Sequence, residues 1–388
     1  MIAQYDIVPG DRVGIFQLGD SLWYVLDLLR THKNEYPKID LSWDFENPHK
    51  SAIIIHLPSL TLYFPAPLQR LTLISFPSLS ASTLTLTYET QVLASPGQPL
   101  TRAKVGRILG PTLVNEGKDL VFPGVKFEMS ATSTSGSGRD DVADKLEVSA
   151  KDVESTLPGQ LVSCVIEPKK GIVLHFSGID PLEIWIGKTT AQDLLLDLGP
   201  PLRKFWKEDD RLEKMWGGES EQGGCAKGFW NYFQHGLDFL ISPDYVVTKI
   251  LCYSNIPGTP LFQRYSHCPW VLSAPSGDLD QTSPLRSFTS QLSPKRSQYD
   301  DVQSEEEGVK DEESVSGDSG RVAGKAHADH SPKRAGKPPA MALDRAVEGG
   351  LEGVINVGES RLVGFEGLII EEDQASGGIC SVLVWKDE

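Results

Sequence analysis

The sequence predicts an α+β chain. A few short helices pack on antiparallel strands in repeated units, and a long disordered insert interrupts them. Three observations carry that reading. Helical apolar stripes are few, and capping residues or Gly-Pro pairs bracket them. Alternating apolar runs follow the stripes. The order of helix and then strands recurs along the chain, which suits helices laid on antiparallel sheets.

In chain order, Leu18-Gly19-Asp20-Ser21 leads into Leu22, Val25, Leu26, Leu28 and Leu29. That spacing predicts a helix with Asp20 or Ser21 as its cap. Strand runs follow at Ile53-Ile54-Ile55, Leu60-Thr61-Leu62-Tyr63-Phe64 and Leu71-Thr72-Leu73-Ile74, with a Pro65-Ala66-Pro67 turn between the last two. Thr83-Leu84-Thr85-Leu86-Thr87 adds another strand. Ile108-Leu109-Gly110-Pro111 is a helix stop, followed by strands at 120–122 and 125–127. Leu161-Val162-Ser163-Cys164-Val165-Ile166 precedes the second block. There Ile184-Trp185-Ile186 leads through Gly187-Lys188-Thr189-Thr190 into a stripe of Ala191, Leu194, Leu195 and Leu198, ended by Gly199-Pro200. Three strands are expected at 229–233, 236–241 and 246–251, and one hairpin over 362–370 and 380–385. The expected organisation is an N-terminal α+β part (1–130), a flexible loop (131–141), a second α+β unit (142–272), a disordered insert (273–340) and a C-terminal hairpin completing the fold (341–388).

Composition bounds the function. Of 388 residues 39% are hydrophobic, enough for a real core. A net charge of −16 argues against non-specific nucleic-acid binding and against chain-wide attraction to anionic membranes. No run reaches the roughly 18 apolar residues of a membrane span, and Met1-Ile2-Ala3-Gln4-Tyr5-Asp6 does not read as a signal peptide. Five scattered cysteines without a C-x-x-C pair argue against a disulfide framework or a zinc ribbon. The chain is expected to be soluble and cytosolic.

Catalytic chemistry finds little support. Gly187-Lys188-Thr189 lacks the first glycine of a phosphate loop, because Leu182 stands there; helix capping is the better reading. His267 and Cys268 with Cys252 sketch a metal site, but structural zinc wants four closely spaced ligands, so these read as a strand-end histidine and buried thiols. Asp238 is the best single acid candidate, and a deep pocket joining it to His235 would argue for an enzyme. Without such a pocket the expectation is no enzyme, no cofactor and no metal. Phe229, Trp230, Tyr232 and Phe233 crowd one strand and serve either the core or a partner surface.

From 274 to 340 the chain is Ser, Pro, Gly and charge, with 12 acidic against 9 basic residues, too poor in apolar surface to fold. Ser283, Ser293 and Ser331 each open a Ser-Pro-x-basic site and are candidate phosphorylation sites.

The run Asn231-Tyr232-Phe233-x-x-Gly236-x-Asp238, then Asn255-x-Pro257-Gly258 and Tyr265-x-x-Cys268, resembles a signature of the phagosome (phagophore) assembly factor family, which also carries a Lin-10-like name. Trp230 joins that signature block, and Gln192-Asp193-Leu194 with Leu198-Gly199 resembles the family's helix. The resemblance implies β-lactamase-inhibitor-like modules and a non-enzymatic autophagy adaptor. It implies a β-propeller (WD40-type) partner of the breast-carcinoma-amplified-sequence type, and recruitment from the cytoplasm to the phagophore. Membrane contact would be indirect, with no nucleic acid and no small-molecule substrate. The alternative is a vesicle-trafficking scaffold controlled by phosphorylation of the insert.

Overall fold

The computed structural model describes residues 3–66, 68–80, 84–112, 119–130, 138–150, 157–206, 228–274, 276–292, 340–344 and 359–386. Two units make up the fold, with the same order of elements among the described residues except for one further strand, Ala340–Asp344, after the last helix of the second. The first runs β1 (Ala3–Val8), β2 (Arg12–Val13), β3 (Phe16–Gln17), α1 (Leu22–Thr31), β4 (Asp40–Ser42), β5 (Ile53–His56), β6 (Thr61–Phe64) and β7 (Leu73–Phe76). It continues through β8 (Leu84–Tyr88), β9 (Gln91–Ala94), α2 (Arg102–Ile108), β10 (Leu120–Phe122), β11 (Val125–Ser130) and β12 (Val142–Ser149). The second runs β13 (Leu161–Glu167), β14 (Gly171–Phe176), β15 (Leu182–Trp185), α3 (Ala191–Asp197), β16 (Arg203–Trp206), β17 (Gly228–Tyr232), β18 (Leu237–Ile241) and β19 (Val247–Tyr253). Then come β20 (Trp270–Leu272), β21 (Leu279–Asp280), α4 (Leu285–Gln291), β22 (Ala340–Asp344), β23 (Glu359–Phe365), β24 (Leu368–Asp373) and β25 (Ile379–Trp385).

The sheets match in the same way, with five and seven strands in the first unit and five and eight in the second. In the first unit the strand orders are β3-β2-β1-β8-β9 and β10-β11-β12-β7-β6-β5-β4. In the second they are β15-β14-β13-β20-β21 and β16-β17-β18-β19-β25-β24-β23-β22. Neighbours are antiparallel except at one equivalent place in each unit, where β1 lies parallel to β8 and β13 parallel to β20. The duplication hinted at in the sequence is therefore a repeat of topology as well as of pattern.

Local chemistry explains the helices. Ser21, the second of the two cap candidates, accepts a hydrogen bond from the Tyr24 N–H at 3.2 Å, while the Asp20 carboxylate turns back to the Gln17 N–H. Leu22, Val25, Leu26 and Leu29 form one buried stripe, each contributing about 1.5–3 kcal/mol. Thr190 and Asp193 cap α3 reciprocally, so the Lys188-Thr189-Thr190 run is a helix start. Gly110 and Gly199 take left-handed backbone just past α2 and α3, before Pro111 and Pro200.

Four expectations change. Val142–Ser149 belongs to the first unit and not the second, because it pairs with β11 and β7 and buries Ala143, Leu146 and Val148 there. The flexible loop ends earlier than 141: the backbone carbonyl of Asp141 accepts from the Arg102 N–H at the start of α2. The insert begins later than 273, since β21 and α4 occupy its first part and α4 fixes Phe288 in the second core. Residues 293–339, with Ser293 and Ser331, lie outside the described residues. Finally, 362–370 is not one hairpin arm but parts of two strands, β23 and β24, turning at Glu366-Gly367; β25 then pairs with both β24 and β19. A side chain at Gly367 would collide with Lys169, whose ammonium ion-pairs with Glu366.

Candidate functional site

The signature residues converge on the second core and on its seam with the first unit. Trp230 on β17 is 3% exposed, and Tyr232 is fully buried against Phe239. The Tyr232 hydroxyl donates to the Gly199 carbonyl at 2.9 Å. Lys204 on β16 stands 4.1 Å from the centre of the Trp230 ring, a cation–π contact. Of the two readings of the aromatic strand, the core one holds for Trp230 and Tyr232. Phe233 is half-buried in a short turn, edge-on to Tyr265.

Asp238 on β18 is 4% exposed and is the acceptor of a tyrosine pair. The Tyr265 hydroxyl donates to its Oδ2 at 2.7 Å and the Tyr253 hydroxyl at 3.0 Å. The two rings stack with centres 3.8 Å apart. Burial raises the Asp238 carboxyl above its ordinary range, and hydrogen bonds from Asn231, Tyr265 and Tyr253 oppose that shift. Asn231 Nδ2 also reaches the Tyr265 hydroxyl at 3.4 Å. A carboxylate bonded this way orders a core, and here it fixes the strand-to-loop crossing. Gly236 holds left-handed backbone (φ 67°), and a Cβ there would lie 2.3 Å from the Ser266 carbonyl oxygen.

The rest of the signature builds the seam. Asn255, buried and left-handed (φ 51°), donates from Nδ2 to Gln69 Oε1 at 2.8 Å and accepts from the Gln263 N–H at 2.9 Å. Gln69 donates in return from Nε2 to the Asn255 carbonyl at 2.9 Å. Pro257 is buried, and Gly258 faces Trp43 of the first unit. Phe262 packs into the first core, while Trp23 and Arg30 of α1 reach the Arg264 carbonyl and Gln263. Cys268 ends the signature beside Cys164 and Cys252, all three buried. Burial away from water pushes the Cys268 thiol well up.

Along the same seam lies a cavity of about 200 Å³, lined among others by Asp20, Arg70, Gln160, Gln234, His235 and His267. Burial lifts Asp20 to about 6. Burial, with Arg70 adding to it, lowers His235 to about 4; burial likewise takes His267 to about 4. Arg70 donates to the carbonyls of Gly19 and Leu161, and His267 bonds the Ser254 carbonyl. His235 lines this cavity, and Asp238 does not. Ser283 sits half-buried in a turn, its hydroxyl held by Asp280, and not on an extended chain as the sequence suggested. Sequence reasoning missed Gln69, Tyr253, Arg70 and Cys164; each acts across the fold and has no local motif.

Among the described residues no helix is long and apolar enough to cross a membrane. No solved structure matches the chain. A PHAF1 protein of Arabidopsis thaliana is 24% identical over 311 residues, spanning 70% of this chain and 75% of its own length. A PHAF1 protein of Caenorhabditis elegans is 24% identical over 312 residues, spanning 65% and 73%. The family model described as phagosome assembly factor 1 matches residues 12–156 and 176–321, one stretch in each repeated unit. On that match, which spans most of both units, the chain belongs to the phagosome assembly factor 1 family.

Proposed function

We propose that the protein is a non-enzymatic adaptor of autophagy that captures a β-propeller partner of the WD40 type and joins it at the forming phagophore. Family membership carries the reading, and it supports an autophagy role at phagosome assembly. Each quarter of the fold, a helix with its flanking strands, is read as a β-lactamase-inhibitor-like module, a scaffold whose function lies on its surface. The signature side chains support this indirectly. They are consumed in the core and the seam, which leaves partner capture to other residues.

An exposed apolar group on and after α3 is suited to partner capture. It comprises Leu195, Leu196 (76% exposed), Leu202 and Phe205 (50% exposed). Lipid contact passes through the partner, in keeping with the net charge of −16. The test is affinity purification of the tagged full chain from fed and starved cells, with Leu196→Asp and Phe205→Asp beside it. A near-stoichiometric propeller protein, retained by the wild type and lost by folded surface variants, supports the reading. Recovery of no propeller protein in either state overturns it.

A further inference from the structure

Three of the cysteines come together from distant parts of the second unit. Cys164 lies on β13 in the five-stranded sheet, Cys252 on β19 in the eight-stranded sheet, and Cys268 just before β20. All three are fully buried, and their sulfurs lie within 4.8 Å of one another, Cys164 and Cys252 at 4.0 Å. Main-chain bonds hold the three backbones in place: Cys268 N–H to the Tyr253 carbonyl, and Cys164 N–H to the Pro269 carbonyl, both 2.9 Å. The group is built before any ligand arrives.

We propose that Cys164, Cys252 and Cys268 form a site for one soft, thiolate-seeking metal ion. The dimensions fit. Metal–sulfur bonds of about 2.3 Å in a trigonal plane set the sulfurs about 4.0 Å apart. One pair already has that spacing, and none needs to close by more than a fraction of an ångström. The donor set is selective as well. Among the described residues no histidine or carboxylate belongs to the group, which disfavours hard cations and selects Cu(I) or Zn(II). Cu(I) is satisfied by three sulfurs, whereas Zn(II) completes its shell with one further oxygen donor. Binding exchanges three thiol protons for the ion and ties the two sheets at one point. The sequence sketched Cys252 with His267 and Cys268 and read them as buried thiols and a strand-end histidine; the fold instead sets Cys164 beside the two thiols, and its separation along the chain hid it.

The test uses the full chain purified under reducing conditions from cells supplied with zinc or with copper, its metal content measured by elemental analysis. Co(II) and Cu(I), each added alone, serve as probes. About one equivalent of either metal is expected, with sulfur-to-cobalt charge-transfer absorption and a higher melting temperature on loading. Cys252→Ser should weaken binding about 100-fold or more, since even outer-shell changes cost up to that much. Cys380→Ser, away from the group, should leave it unchanged. Should Cys252→Ser not fold, Cys164→Ala and Cys268→Ala replace it, and the wild-type melting shift stands by itself. Folded wild type that binds neither probe, or equal loss in Cys380→Ser, overturns the proposal and leaves the thiols as packing groups.

Discussion

Gln69→Ala tests how the two units are joined. The native amide makes a reciprocal pair with Asn255, bonds of 2.8 and 2.9 Å, both ends buried. Truncation strands the Asn255 carbonyl and Nδ2–H without water, at about 1–3 kcal/mol each, so about 2–6 kcal/mol in all. Gln69 also carries left-handed backbone (φ 51°), which disfavours any side chain by about 1–2 kcal/mol. Gln69→Gly should therefore lose the same bonds yet be about 1 kcal/mol less destabilised than Gln69→Ala. Urea unfolding followed by tryptophan fluorescence measures both, and a cycle with Asn255→Ala isolates the pair, with an expected coupling of at least about 1 kcal/mol. A cost for Gln69→Ala below about 0.5 kcal/mol, the range of ordinary surface changes, would refute the reasoning. Strict additivity with Asn255→Ala would refute it as well.

Other expectations concern the same core. His235 and His267 have folded-state values lowered to about 4 from 6.5, so the unfolded chain binds their protons first as pH falls. Stability is full above about pH 6.5 and declines toward pH 4, by up to about 3 kcal/mol per histidine. Asp20, raised to about 6, works the other way, its contribution present below pH 4 and lost toward 6. Thermal melts of His267→Gln should show a flatter pH dependence than the wild type; an unchanged slope would remove the assignment. Gly236→Ala must displace the Ser266 carbonyl and should cost at least about 2 kcal/mol. Gly199→Ala, equally left-handed but with open space around it, should cost only about 1 kcal/mol, and equal losses in urea would contradict the steric argument. Phe288→Ala should cost about 3–5 kcal/mol and expose 276–292 to limited proteolysis, whereas protease resistance there would mean that α4 is held by other contacts.

What was legible in the sequence follows from range. The helices were readable because caps, stripes and stops act within a turn or two: Ser21, Thr190 and Gly199 all behave as their neighbours in sequence suggest. Strands with strong alternation, such as Ile53–His56, were readable for the same reason. The parallel pairings of β1 with β8 and β13 with β20 were not, because register between distant strands leaves no mark in either one. Composition hid α4, whose segment is mostly polar, with Phe288 buried in the second core and Leu285 and Leu292 packed against it. The signature spacing identified the seam loop, but Asn255 and Gln69 are 186 residues apart, and only folding shows that they are partners.

The place of β25 has a consequence for synthesis on the ribosome. The first unit holds all its strands once residue 149 has emerged. In the second, by contrast, β25 inserts between β19 and β24, in the interior of the eight-stranded sheet. At about 5–20 residues per second, the interval between translation of β19 and of β25 is about 6–26 s. Throughout that interval β19 presents an unpaired, apolar edge bearing Ile250 and Cys252. The nascent protein thus carries a first unit whose described strands are all present beside a second whose larger sheet stays open until the closing strand arrives.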